Sequence, residues 1–144
     1  MKWIFPVLSF IGGVAVAFQA QINGGLGKKA GALEGAFISF VIGTLALFFL
    51  VLFFGKGNLG AVFSVPKWQL FGGLLGAFYV SVMIFAVPNI GVAPALVAVI
   101  AGQLIFGVLI DHFGWFGGKP IPIDTKKIIA MFLLFCSLFL FNHN

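Results

Sequence analysis

The sequence predicts an all-α integral membrane protein with five transmembrane helices. Three observations carry that expectation. First, 62% of the 144 residues are hydrophobic and only 8% are charged, against about 25% charged in an ordinary soluble domain. A soluble chain of this length would need far more polar surface to cover its core. Second, the apolar residues gather into five runs, at about 3–22, 32–54, 70–87, 92–110 and 126–141. A helix needs about 20 residues to cross a hydrocarbon core about 30 Å thick. The first four runs meet that need, and the fifth meets it if its flanking lysines snorkel. Third, the runs are continuously apolar, without the alternation of a membrane barrel. Helices remain, because each backbone polar group is then satisfied within its own segment. Residues 1–144 thus read as a single membrane domain.

The first run follows "MK". Ala15-Val16-Ala17 would fit the cleavage pattern of a signal peptide, but the apolar run continues past it and keeps a polar face. Gln19 and Asn23 stand four residues apart and share that face, which Gly12 and Val16 extend. "NGGLGKKAG" (Asn23–Gly31) is expected to join the first two spans. Its glycines and lysines do not have phosphate-loop spacing, and no strand precedes them. The second span opens with Glu34. Gly31, Gly35, Ser39 and Gly43 form a ridge of small residues suited to close helix packing. "GKGNLGAVFSVPKWQ" (Gly55–Gln69) leads to the third span, with a Gly72–Gly76 pair and Tyr79. "PNIG" (Pro88–Gly91) is expected to make a tight hairpin, and Pro94 suits a first helical turn. The fourth span carries Gln103. "DHFGWFGGKPIPIDTKK" (Asp111–Lys127) precedes the fifth, with Asp124 or Thr125 as the expected N-cap. The single cysteine, Cys136, makes no intramolecular disulfide.

Each polar side chain inside a span requires an explanation. The Gln19 and Asn23 amides are either the wall of a central cavity or a bonded pair between helices, worth about 0.6–2 kcal/mol each. Gln103 lies nearest mid-membrane, so it is expected to face the bundle interior or a cavity. Glu34 is the one acid set in an apolar run and therefore the candidate coupling acid. It also lies near Lys28 and Lys29 and suits a helix N-terminus electrostatically.

Asp111 and His112 are adjacent, so on a helix they point about 100° apart. Metal pairs on helices favour three- or four-residue spacing, and no second histidine or cysteine stands near. No nucleophile, base and orienting acid converge in sequence, so no enzyme, cofactor or metal site is expected. The pair instead marks the end of span four at the headgroups. The net charge of +5 comes from lysines flanking the spans. That is membrane charge, without the basic stripe of a nucleic-acid binder.

Lysine placement sets orientation. With the N-terminus on one side, that side holds six lysines (Lys2, Lys56, Lys67, Lys119, Lys126 and Lys127), and the other holds Lys28 and Lys29. The lysine-rich side is expected in the cytoplasm, with the C-terminus outside. Trp3, Trp68 and Trp115 fall on the same side, as interfacial aromatics do. An odd number of spans would make a tandem copy inverted, the geometry of many transporters.

Several stretches, "FQAQINGGLG", "FISFVIGTLAL" and above all "PNIGVAPALVAVIAGQL" followed by "DHFGWFG", resemble the small YdcZ-type proteins of the bacterial inner membrane. These belong to the drug/metabolite transporter superfamily, and the resemblance covers nearly the whole chain. It implies an exporter of small molecules and a five-span half of a ten-span inverted repeat. Such a half would work as an antiparallel homodimer, or as a heterodimer with a sister five-span subunit. The first four spans would line the pathway, and the fifth would support the dimer. Gln19, Asn23, Tyr79 and Gln103 are the expected pathway residues. The superfamily's four-span multidrug members couple protons through a glutamate in their first span. That span here has no acid, so only Glu34 is available. The alternative function is a membrane assembly subunit without transport, its amides serving only to join helices.

Overall fold

The computed structural model describes residues 3–142. Lys2, counted above in the lysine bias, lies outside the described residues. The described chain is helical, with no strand among its elements. Five α-helices follow in order: α1 (Ile4–Ala30), α2 (Ala32–Phe54), α3 (Phe71–Ile90), α4 (Val92–Phe113) and α5 (Thr125–Asn142). Among the described residues, four helical segments are long and apolar enough to cross a membrane: α1, α2, α3 with the short turn before it, and α4.

Helices α1 and α2 pack against each other within one compact unit that extends to Asn89 and holds α3. Helices α4 and α5 pack against each other in a second unit that begins at Ile90.

The α1–α2 connection differs from the sequence expectation. Asn23–Gly31 is not an extended loop: α1 continues through it to Ala30, and Gly31 alone breaks the helix. Glycines weaken a helix by up to about 1 kcal/mol each, but here packing offsets that cost. Gly24 and Gly27 are where neighbouring elements come closest. A Cβ on Gly24 would stand 3.2 Å from a Val87 methyl, and one on Gly27 would overlap the Cγ2 methyl of Ile84. A Cβ on Gly35 would stand 3.2 Å from the Gly27 Cα, so α1 and α2 meet there backbone to backbone. The small-residue ridge is used unevenly. A Cβ on Gly76 would stand 3.6 Å from the Phe40 ring, whereas Cβ atoms on Gly43 and Gly72 would meet nothing within 4 Å.

The "PNIG" connection is also shorter than expected. Helix α3 runs through Pro88 to Ile90, and only Gly91 is non-helical before α4. A proline lacks the N–H that would bond the fourth carbonyl back, yet its fixed φ suits a helix. One residue later, the Asn89 amide donates to the Phe85 carbonyl at 2.6 Å and holds the last turn. The two corners share a backbone geometry, with φ 101° and ψ 152° at Gly31 and φ 87° and ψ 165° at Gly91. That region is closed to residues with a Cβ, so each helix ends at a single glycine.

The other connections are built from short 3-10 turns. Asn58 caps the first of these, Leu59–Phe63, by accepting from the Gly60 N–H at 2.9 Å. Helix α4 ends on left-handed Gly114, whose N–H bonds the Asp111 carbonyl at 3.3 Å. The same carbonyl accepts from Ile121 at 2.8 Å and closes the loop on itself. Of the two expected caps for α5, Asp124 is the one used: its Oδ1 accepts from the Lys127 N–H at 2.8 Å.

Candidate functional site

The first unit has a small core of Ala36, Val80 and Ile84, with Ala32 and Tyr79 packed against it. Ile84 is its most enclosed member, and its Cγ2 covers Gly27 of α1. This seam brings α1, the start of α2 and the later half of α3 together. Small residues on α1 and α2 let a β-branched side chain of α3 sit between them.

Asn23 lies on this seam. It is the one buried polar residue among those described, with 6% of its surface exposed. It precedes Gly24, which rests on Val87 and Pro88. No side-chain nitrogen or oxygen among the described residues is both enclosed and unpaired. Tyr79 is half-buried. It lies eight residues before Val87, so it stands about 12 Å away along α3. Asn23 and Tyr79 thus occupy different levels of one seam. Gln19, one turn before Asn23, is exposed.

Glu34 occupies the first turn of α2. Its carboxylate folds back over Gly31, so that a Cβ on Gly31 would overlap the Glu34 Oε2. The acid therefore lies at a helix N-terminus, where the unpaired N–H groups favour negative charge. The glycine that makes the corner also makes room for it.

Gln103 is exposed on α4, within the second unit. The buried side of α4 is taken by Ala95, Ala101 and Val108. These apolar groups need no hydrogen bonds when enclosed. Asp111 and His112 are exposed at the end of the same helix. The aromatic rings that follow are stacked there, with Phe113 and Trp115 at 5.5 Å between ring centres.

Two shallow apolar grooves run along α2, the first of them between α2 and α3. One, of about 300 Å³, is lined by Leu33, Ala36, Phe37, Phe40, Ala77 and Ser81. The other, of about 290 Å³, runs along α2 from Phe37 to Leu45. Neither is lined by Gln19, Asn23, Tyr79 or Gln103. The roles of Gly24 and Gly27 went unread in the sequence, although their spacing carries the signal. Gly24 and Gly27 repeat in α1 the three- to four-residue spacing of small residues that opens α2, and the two sets face each other across the Gly31 corner.

Residues 4–140 match the family model described as "Putative inner membrane exporter, YdcZ". Over 72 residues the chain is 39% identical to the inner membrane protein YdcZ of Escherichia coli (strain K12). That alignment covers 48% of each protein, so it spans about half the length of the relative. No solved structure matches the chain. With its long apolar helices and nearly all of its length matched, the chain belongs to the YdcZ family of inner-membrane proteins.

Proposed function

We propose that this protein exports a small molecule across the bacterial inner membrane. In this reading five spans, α5 being the fifth, form one half of an inverted-repeat transporter. It works by alternating access as an antiparallel dimer, with a second copy or with a sister five-span subunit. The observation that carries the reading is the family match over residues 4–140. The N-terminus lies in the cytoplasm and the C-terminus outside, following the lysine bias.

Gln19, Asn23, Tyr79 and Gln103 are the proposed pathway residues. Asn23 has the strongest local support, being a buried amide in an otherwise apolar seam. A carboxamide offers both donors and an acceptor, so it can hold a polar cargo without fixed charge. The single-glycine corners at Gly31 and Gly91 are the natural hinges, because glycine absorbs changes in φ and ψ at little cost.

Glu34 is the proposed coupling acid. Its carboxylate rests on the Gly31 corner. Protonation would remove the charge that favours the α2 N-terminus and so loosen that corner. The test is purified protein in liposomes, screened for substrate-driven flux with and without a pH gradient. Glu34→Gln is expected to abolish the dependence of flux on the gradient. Proton-driven flux that survives the substitution would remove Glu34 from the mechanism. Amide replacements that weaken the dimer yet leave flux unchanged would favour the assembly-subunit reading.

A further inference from the structure

We propose that the start of α3 binds one anionic phospholipid, with its phosphate on Lys67 and an acyl chain along Leu70, Phe71 and Leu74. The site lies within the first unit alone and shares no residue with the proposed transport pathway.

Lys67, Leu70, Phe71 and Leu74 line a groove of about 240 Å³. The three apolar residues follow the lysine at three, four and seven positions, so all four share one face of a single helical segment. No second helix is needed to shape the groove. The segment, Lys67–Ile90, has 24 residues, about 36 Å of helix. The hydrocarbon core is about 30 Å thick, and the headgroup layers bring the bilayer to about 40–45 Å. The first residues of the segment therefore stand among the headgroups. Leu70, Phe71 and Leu74 lead from there toward the acyl chains.

The connection before this turn suits the same layer. Its short turns close their own backbone bonds: the Ala61 N–H donates to the Asn58 carbonyl at 3.2 Å, Ser64 to Ala61 at 2.9 Å and Gln69 to Pro66 at 3.0 Å. Backbone satisfied in this way can enter an apolar layer. Phe63 is 93% exposed, the highest value among the large apolar residues described. An interfacial segment buries such a ring where headgroups meet acyl chains.

Charge selects the lipid. Lys56 and Lys67 are the only charged residues between Glu34 and Asp111. Among the described residues no hydrogen bond or ion pair occupies the Lys67 ammonium. A phosphodiester supplies the missing anion, and the groove takes the chain attached to it. This combination separates the site from the grooves along α2, which have no charged residue at their edge.

The test is competition between phosphatidylglycerol and phosphatidylcholine of identical acyl chains. The purified protein is stripped of lipid in micelles and given both, and native mass spectrometry counts what it retains. The first lipid bound is expected to be phosphatidylglycerol, preferred about five-fold, the effect of one lysine near the surface. Equal uptake of the two lipids would overturn the proposal. Lys67→Gln should bring the preference to about one, and Lys67→Arg should keep it. An unchanged preference in Lys67→Gln would remove Lys67 from the site. Leu74→Trp fills the groove and leaves the lysine in place, and it should lose the preference too. A preference kept in Leu74→Trp would reduce the contact to a bare charge and overturn the groove. Glycerol 3-phosphate has the phosphate without the chains and should displace no lipid at equal concentration. Displacement would assign the site to a soluble phosphate and overturn the lipid.

Discussion

Gly27 shows how a residue without a side chain determines packing here. Its backbone lies against Gly35, and the space its side chain would need is filled by Ile84, which is 2% exposed. The Ile84 methyl cannot turn aside easily, because a β-branched side chain is stiff at χ1. Gly27→Val is therefore expected to destabilise the protein by about 1–3 kcal/mol, the usual cost of overpacking. Gly13→Val, where nothing lies within 4 Å of the added Cβ, should stay within about 0.5 kcal/mol of the parent. Denaturant titration of both variants in mixed micelles compares them. Equal stabilities would mean that the Gly27 contact is not tight.

At the scale of elements, the ends of the helices are set by a few side chains and corners. The sequence makes the helical character plain, because long continuous apolar runs in lipid leave no other backbone solution. It also narrows the α5 cap to Asp124 or Thr125. Where α1 stops is less legible. Asn23-Gly24-Gly25 has the composition of a loop, and only the approach of Ile84 and Val87 makes those glycines worth keeping in a helix. Pro88 misleads for a related reason: proline reads as a break, but near a helix end it removes only one bond. For Gln103 the sequence marks a polar, central position but does not show which side of α4 the buried alanines claim. The Asp124 cap is open to a direct test. Asp124→Ala should destabilise α5 by about 0.5–2 kcal/mol. The loss should appear as faster amide exchange at Lys126, Lys127 and Ile128, without change in the middle of α4. Unchanged exchange there would mean that the cap contributes little.

The whole molecule shows why this chain requires a bilayer. Nine apolar residues are buried among those described, while the exposed faces carry long rows of phenylalanine, leucine and isoleucine. Lipid tails cover such a surface at no cost, so the protomer needs no large core. Stability then comes from close helix contacts and from satisfied backbone groups rather than from the exclusion of water. In that setting each buried or mid-span amide is conspicuous, and Asn23 is the one enclosed in the seam between α1 and α3. Transport through a pathway that includes this amide is the central claim. The most direct measurement is flux in liposomes by the Asn23→Ala variant, once a transported substrate is identified. Alanine has higher helix propensity than asparagine, so α1 should form as before. Flux is expected to fall at least about ten-fold, the effect of roughly 1.4 kcal/mol in the barrier, with dimerisation and thermal stability unchanged. Parental flux from a stable Asn23→Ala protein would contradict the account.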